Sequence, residues 1–527
     1  MSATNPLRHP VFRILWIAQF ASNVGTWMQT VGAQWLMGDL GGGPLQVALV
    51  QTATSLPIFL LVLPAGALGD ILDRRRVLLA SQSTMLVSAG LLAVLTASGA
   101  MTPLLLLSLT FAIGAGQALA IPSWRAILPE LVSRAEIPQA ALLNSANFNV
   151  ARAVGPAIGG LLISTVGAQA NFVVNALSFL GTLGALAVWQ RPPDRRTLSA
   201  EHFGAAIGAG ARFVRSAPLL RVVLWRSTLF MLFASAIWAL LPTVARGPLG
   251  LGADGYGLLF GSVGFGAIAG AFVLPRLRER VGVNALVSGA SVAFAGTCLV
   301  IGLVDATGAV VAALVLAGLA WIAVRSSLLA SAQVLLPNWT RARGLAFYTL
   351  TFMGAQALGS VVWGALAALT DLGTAFTVAA AGLLIGPLLG QGRLRLTATD
   401  FDLELAPARP EPHLVLDPTP GSGPVLVTIE WRVRVHDAAE FADAMRPVER
   451  ARRRTGASRW GLYQDAEDPE CFLETFTVAT WLEYQRQHAE RVTVRDRELE
   501  SRAQALTLNG EPPRVRRLLS AYGRRRG

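Results

Sequence analysis

The chain is 527 residues long, and apolar residues make up 53% of it whereas charged residues make up only 14%. This length exceeds one soluble core, and the charged residues are too few to cover several soluble domains. The net charge is +12, and all 44 basic residues are arginine, since no lysine occurs. These arginines are spread over many connections, which argues against a nucleic-acid-binding surface.

Twelve apolar segments, each about the length that crosses a bilayer, follow one another in the first three quarters of the chain. They lie at 13–36, 45–68, 77–98, 103–124, 141–165, 170–189, 222–243, 256–275, 284–304, 308–332, 344–369 and 373–391. The first is too long and too polar for a cleaved signal peptide, so we interpret it as a retained helix. Arginines lie mainly in every second connection, which predicts that both termini are cytoplasmic.

Polar residues inside the apolar segments indicate where a solute could bind, because an unsatisfied polar group in hydrocarbon is costly. The first segment carries a polar stripe at helical spacing, and the fifth and tenth add further groups. The predicted cavity residues are Gln19, Asn23, Thr26, Gln34, Asn147, Arg152 and Arg325. The stripe could equally form interhelical hydrogen bonds, and Arg152 could simply bind backbone carbonyls. Trp27, Trp35, Trp238 and Trp321 could stack on an aromatic solute or anchor helix ends.

The coupling ion is harder to place, because no Asp or Glu lies in the middle of any apolar segment. Asp39, just beyond the outer end of the first segment, is the nearest candidate for a proton carrier. The chain has no G-x-x-x-x-G-K-(S/T) loop for binding ATP.

The string GALGDILDRRR, Gly66 to Arg76, joins the second and third segments. It resembles the loop signature of the major facilitator superfamily, G-x-L-x-D-(R/K)-x-G-R-(R/K). Gly66, Asp70, Arg74 and Arg75 match, together with Leu68, while Ile71 and Asp73 stand where a basic residue and a glycine are usual. The resemblance implies a gating motif on the cytoplasmic side. There Asp70 would meet the start of a helix in the other half.

The fifth segment carries a second motif, AxxxGPxxGG, in which Gly155, Pro156, Gly159 and Gly160 follow Ala151. It resembles the antiporter motif of exporters in the same superfamily, with Ala151 in place of the leading glycine. Together with its neighbouring sequence it is similar to the branch that includes enterobactin exporters and transmembrane secretion effectors. Glycines at this spacing also form ordinary packing seams between membrane helices.

These resemblances imply an all-α polytopic membrane protein with twelve transmembrane helices in two six-helix halves. A weaker copy of the loop signature at Gly270 to Arg280 and a glycine pair at Gly359 and Gly364 support the repeat. The predicted domains are an N-terminal half at 1–190, a cytoplasmic central loop at 191–221 and a C-terminal half at 222–392. A linker at 393–424 and a cytoplasmic domain at 425–527 follow.

The region after 424 changes character and predicts a small α+β domain. Alternating apolar residues indicate strands, and two amphipathic stretches indicate helices, in the order β-α-β-β-α-β. This order looks like a ferredoxin-like module similar to dimeric monooxygenase domains. Glu474, Trp481 and His488 could suggest an enzyme, but the residues favour a regulatory or dimerising tail.

The sequence thus predicts a secondary active transporter in the bacterial plasma membrane, the inner membrane, that is not an enzyme. The resemblance implies that it exports a small siderophore or drug-like solute by alternating access and uses proton antiport. Its expected partners are the solute, the proton gradient and the lipid bilayer, and no nucleic acid. No cofactor and no metal site are expected, and dimerisation through the tail is possible. The alternatives are a membrane anchor for an enzymatic tail and an importer of the same superfamily.

Overall fold

The computed structural model describes residues 5–189, 203–337, 339–392, 394–396, 406–407 and 415–521, apart from the side chains at 67–71, 203–207, 209, 490 and 509. The chain divides into two compact units. The first comprises 1–202, 222–332 and 345–397, and the second comprises 203–221, 333–344 and 398–527. The predicted loop at 191–221 and the linker at 393–424 lie partly outside the described residues, so the predicted domain boundaries stay predictions.

Helices account for nearly all of the described residues that precede the tail. In chain order the helices are α1 (Pro10–Asp39), α2 (Pro44–Ile71), α3 (Arg74–Ala97), α4 (Pro103–Leu131), α5 (Ile137–Thr165), α6 (Ala168–Val188), α7 (Phe203–Ser216), α8 (Pro218–Arg246), α9 (Ala253–Leu303), α10 (Thr307–Val334), α11 (Arg341–Leu369), α12 (Leu372–Leu383) and α13 (Ile385–Gly390). Nine helices of the described part are long and apolar enough to cross a membrane. The protein is therefore a mostly helical, multi-pass membrane protein.

Most of the long helices extend beyond the apolar segments, and polar residues cap some of them. Asp73 accepts a hydrogen bond from the Arg76 amide at 2.9 Å and so begins α3. The connection between α2 and α3 is consequently only residues 72–73, not the loop of about eight residues that the hydropathy pattern predicts. Carboxylate caps satisfy amides that a helix start leaves free.

The 51-residue α9 is two helical segments rather than one. Gly282 has a φ of 74° and a ψ of 163°, a conformation that is not helical and that favours glycine. The two segments flank the predicted connection between the eighth and ninth apolar segments. The helices thus match the sequence pattern once this break is included, except that the twelfth segment, 373–391, forms two helices, α12 and α13, separated by a turn at Leu384.

Close backbone contact holds α5 between α1 and α9. A Cβ atom on Gly155 would lie 2.6 Å from Trp27 Cβ, on the α1 side. A Cβ atom on Gly160 would lie 2.5 Å from the backbone oxygen of Ala253 and 2.7 Å from Gly257 Cα, on the α9 side. Real Cβ atoms do not approach this closely, so these glycines are required for the helix packing.

The tail within the second unit contains a four-stranded antiparallel sheet. Its strands are β1 (Val425–Arg432), β2 (Arg459–Gln464), β3 (Cys471–Val478) and β4 (Arg514–Leu519), in the spatial order β2-β3-β1-β4. Val425 pairs with Val478 and with Leu519, so β1 is a central strand. The helices α14 (Ala438–Thr455), α15 (Trp481–Arg486) and α16 (Val494–Gln504) complete the predicted element order.

The second amphipathic stretch of the tail differs from the sequence prediction of one helix over 481–506. It forms α15, a wider turn at Gln487–Arg491, and α16. Thr493 is the reason for the break. It accepts a hydrogen bond from the Asp496 amide, while the Asp496 carboxylate accepts from the Thr493 amide at 3.0 Å. This capping box starts a new helix.

The second unit also contains α7 and the connection at 333–344, which packs on the tail. The Arg491 guanidinium carbon lies 4.6 Å from the centre of the Trp339 ring, and Trp339 meets Phe213 of α7 edge-on at 5.8 Å. Arg491 is held in place by Glu483, 2.7 Å away, and by the Thr455 carbonyl. The tail is therefore joined to two connections between the long helices.

Candidate functional site

The polar stripe of α1 forms a hydrogen-bonded chain with α5. Gln19 Nε2 donates to Asn23 Oδ1 at 3.1 Å, and Asn23 Nδ2 donates to Asn147 Oδ1 at 2.9 Å. Asn147 Nδ2 in turn donates to the Trp16 carbonyl at 3.1 Å. Three of the predicted cavity residues thus lie together. Gln19 and Asn23 are half-buried, whereas Asn147 is buried.

Gln34, at the far end of the stripe, joins α1 to α8 and α9. Its side chain is completely buried, its Nε2 donates to the Trp238 carbonyl of α8 at 2.9 Å, and its Oε1 accepts from the Tyr256 hydroxyl of α9. Gln34 therefore makes interhelical hydrogen bonds here, one of the two roles that the sequence leaves open. Thr26 lies between, and its carbonyl accepts from Thr30 Oγ1 at 3.0 Å.

The two predicted arginines of the membrane interior meet at one tryptophan. The Arg152 guanidinium carbon lies 4.0 Å from the centre of the Trp321 ring, and that of Arg325 lies 4.8 Å from it. Arg325 also lies 5.7 Å from the Phe352 ring. Cation–π contacts of this kind are attractive, and they strengthen when water is excluded.

Arg152 is 2% exposed, and none of its three guanidinium nitrogens has a hydrogen-bond partner among the described residues. The alternative role in which Arg152 binds backbone carbonyls is therefore not seen in this structure. Trp321 Nε1 and Trp238 Nε1 are likewise buried without a partner in this part of the chain. The two rings meet edge-on with their centres 5.8 Å apart.

The helix ends near Asp39 carry a contact that the sequence does not predict. Asp39 Oδ1 pairs with an Arg246 nitrogen at 2.8 Å, and the Arg246 guanidinium lies 4.2 Å from the Trp35 ring. Asp39, the nearest candidate for a proton carrier, is thus ion-paired across two helices. Its only sequence signal is that Arg246 stands alone in an otherwise arginine-free set of connections.

The two described arginines of the loop signature bind α4 and α6. Arg74 pairs with Glu130 of α4 at 2.8 Å, and Arg75 donates to the carbonyls of Leu186 and Ala187 at 3.0 and 2.8 Å. The Asp70 side chain lies outside the described residues, so its gating role stays a prediction. A Cβ atom on Gly66 would touch no other group.

In the fifth-segment motif, the glycines face two different helices. Gly155 and Gly159 approach α1, where a Cβ atom on Gly159 would lie 3.0 Å from Met28 Cα. Gly160 approaches α9, and the Pro156 carbonyl lies 2.7 Å from the position of a Cβ on Gly257. The motif thus provides close contact of α5 with both α1 and α9.

In the tail, the residues that could suggest an enzyme form structural contacts. Glu474 is completely buried, and its carboxylate accepts from Arg452 Nε at 3.1 Å, Trp460 Nε1 at 3.0 Å and Trp431 Nε1 at 3.3 Å. Trp481 is buried and stacks on a tyrosine. The Glu474 carboxylate is therefore occupied by partners of the domain core.

His488 gives the tail a pH-dependent stability. Burial lowers the pKa of His488 to about 4. An unfolded histidine titrates near pH 6.5, so below that pH the unfolded tail binds more protons than the folded one, and stability is lost as the pH falls toward 4. In the purified full chain, hydrogen exchange of β3, corrected for its intrinsic rate, should speed up between pH 7 and about 4.5. An equal response in His488→Gln would contradict this assignment.

Solved structures with a similar helix arrangement include transporters. A structure of the nucleoside transporter NupG matches with a TM-score of 0.59 at 13% identity, covering 73% of this chain and 99% of that one. A POT family transporter in complex with 5-aminolevulinic acid matches with a TM-score of 0.58 at 14% identity, covering 72% and 94%. The helix arrangement of this chain is thus similar to that of these transporters.

Sequence comparison narrows this class. Over residues 1–525 the chain belongs to the transmembrane secretion effector family of the major facilitator superfamily, which confirms the predicted family. The enterobactin exporter EntS of Shigella flexneri is 28% identical over 390 residues, covering 72% of this chain and 91% of that protein. The multidrug efflux pump Tap of Mycolicibacterium fortuitum is 30% identical over 283 residues, covering 50% and 69%.

Proposed function

We propose that this protein exports a small organic solute across the bacterial inner membrane by alternating access. The observation that carries the proposal is the contact of Arg152 on α5 with Trp321 on α10, which joins the two halves at mid-depth with unpartnered donors. Polar groups at this depth usually mark a solute pathway. The exporter and efflux relatives support the outward direction.

In this proposal twelve helices span the membrane, with α9 contributing two and both termini cytoplasmic. Contacts between the halves near one end of the helices support alternating access. They include the Asp39–Arg246 ion pair, the Gln34–Tyr256 hydrogen bond and the close approach of Gly160 to Ala253. The arginine distribution makes this the outer end. The outer side would be closed here, and Asp70 would act when the cytoplasmic side closes.

In this proposal the proton gradient supplies the energy, and the solute is exported by proton antiport. None of the twelve apolar segments contains an Asp or Glu, so the proton carrier is not a carboxylate at membrane depth. The tail would be a ferredoxin-like cytoplasmic domain, which its antiparallel strand order supports. Its packing on α7 and on the 333–344 connection supports a regulatory rather than an enzymatic role.

The direction is tested by measuring solute retention in cells. A strain lacking this protein should accumulate more of a transported siderophore or drug-like compound than the parent does. Expression of the wild-type chain should restore the lower level, and a chain with Arg152→Ala at equal membrane abundance should not. Lower accumulation in the deletion strain would contradict export and favour import.

A further inference from the structure

The membrane interior of this chain carries positive charge without a matching negative charge. The apolar segments contain no Asp or Glu, yet Arg152 and Arg325 lie within the fifth and tenth. Both guanidinium groups contact the ring of Trp321, at 4.0 and 4.8 Å. Two cations beside one ring repel each other, and no carboxylate of these segments offsets that repulsion.

Hydrogen bonding at this place is also incomplete. Arg152 Nε, Nη1 and Nη2 and the indole nitrogens of Trp238 and Trp321 are buried donors with no acceptor in the described part of the chain. Leaving a buried donor unpaired costs about 1–3 kcal/mol, and more for a charged group. All five atoms are donors that lack an acceptor. An acceptor-rich ligand would satisfy them together.

A series of aromatic contacts extends from these two tryptophans to α1 and α5. Trp238 meets Trp321 edge-on, with ring centres 5.8 Å apart, and lies 5.4 Å from Phe260. Phe260 in turn lies 6.0 Å from Trp27 of α1, which contacts Phe148 of α5 at the same distance. Indole and phenyl faces of this kind bind planar apolar groups.

We propose that this site binds an organic anion in which a carboxylate or a similar oxyanion is attached to a planar aromatic group. The inference rests on the proposed export function and names its substrate class. Arg152 donates to the oxyanion with its planar fork, Arg325 adds the second positive charge, and the Trp238–Trp321 pair contacts the aromatic group. Charge-assisted hydrogen bonds from arginine to an oxyanion are short and strong, and lysine does not reproduce their geometry.

The ligand also explains why the arginines are tolerated at this depth. The effective cost of burying one ion is on the order of several kcal/mol, and a bound anion offsets it for both arginines. The anion contacts α5 of one half and α10 of the other. It would therefore stabilise the conformation in which the two helices are close.

The test compares 2-naphthoate with 2-naphthamide, a neutral probe of nearly the same shape. Isothermal titration calorimetry with the purified full-length protein should show naphthoate binding at least tenfold more tightly than naphthamide. Arg152→Gln should weaken naphthoate binding at least tenfold and remove the preference for naphthoate over naphthamide. Arg152→Lys should restore little of the wild-type affinity for naphthoate. Arg276→Gln, which removes an exposed arginine outside the site, should bind both probes as the wild type does.

A second variant keeps the test decisive if Arg152→Gln does not fold. Arg325→Gln should also reduce the preference for naphthoate, and Trp321→Leu should weaken both aromatic probes. Equal binding of naphthoate and naphthamide would overturn the proposal, as would failure of the folded wild type to bind naphthoate. If inorganic phosphate binds as tightly as naphthoate, the claim that the site recognises an aromatic group is overturned.

The outcome is separable from that of the export experiment. Cells lacking the protein could retain more solute than the parent while the purified protein binds naphthoate no more tightly than naphthamide. In that case this inference fails and the exporter assignment stands. If naphthoate binds with the expected preference but no solute is exported, the site is correct and the exporter assignment fails.

Discussion

Replacing Gly160 with alanine is expected to lower export at least tenfold without preventing membrane insertion. The added Cβ would lie 2.5 Å from the Ala253 carbonyl oxygen and 2.7 Å from Gly257 Cα, so α5 and α9 must separate. Overpacking of a tight contact costs about 1–3 kcal/mol. In the proposed transport cycle this contact forms only when this end is closed, so the cost shifts the equilibrium away from the closed conformation.

The shift is measurable by labelling a cysteine introduced into the polar stripe. In a Cys471→Ser background, Thr30→Cys places a thiol on α1 at a half-buried position, while the other native cysteine, Cys298, is buried. A membrane-impermeant maleimide added outside should label this thiol faster when Gly160→Ala is present. The readout rests on the proposed orientation of the helices.

Gly184 of α6 provides a matched control. A Cβ atom on Gly184 would touch no other group, so Gly184→Ala should leave export and labelling unchanged. Alanine is in fact the better helix former at an unconstrained position. Equal export by the Gly160→Ala and Gly184→Ala proteins would show that the α5–α9 contact does not limit the transport cycle.

The sequence predicts the helices well because each apolar segment must be long enough to cross a bilayer, which is a local property. It predicts the tail strands for a similar reason, since alternation of apolar residues is local too. It misplaces the connection between α2 and α3 because Asp73 caps a helix that begins with three arginines. Hydropathy does not register such a cap.

The partners of the site residues are a different matter. The sequence indicates that Arg152 and Arg325 are unusual, but their shared contact with Trp321 depends on how helices of the two halves pack. The same holds for Gln34, whose partners Trp238 and Tyr256 lie more than 200 residues away. Periodicity within one helix shows which face is polar, but not which helix lies against that face.

Glu474→Ala is expected to destabilise the tail by about 3–5 kcal/mol, the usual cost of removing one partner of a buried ion pair. Arg452 is buried between Glu474, at 3.1 Å, and Glu500. These carboxylates hold the pKa of Arg452 above its usual value even though burial lowers it, so the arginine stays charged. Loss of Glu474 leaves that charge partly uncompensated and removes the acceptor of Trp431 and Trp460.

The measurement is hydrogen exchange of β1 and β3 in the purified full-length protein, where Glu474→Ala should raise the exchange rate of the most protected amides at least a hundredfold. Asp443→Ala is the control, because it breaks only an exposed pair with Arg446 and should leave exchange unchanged. Arg452→Met combined with Glu474→Met and Glu500→Met removes all three charges of this cluster and should recover part of the protection, since apolar groups of similar volume can replace a buried ion pair or triad. If this triple variant is as unprotected as Glu474→Ala, the loss comes from packing and from the indole donors left without Glu474, and not from the uncompensated charge of Arg452.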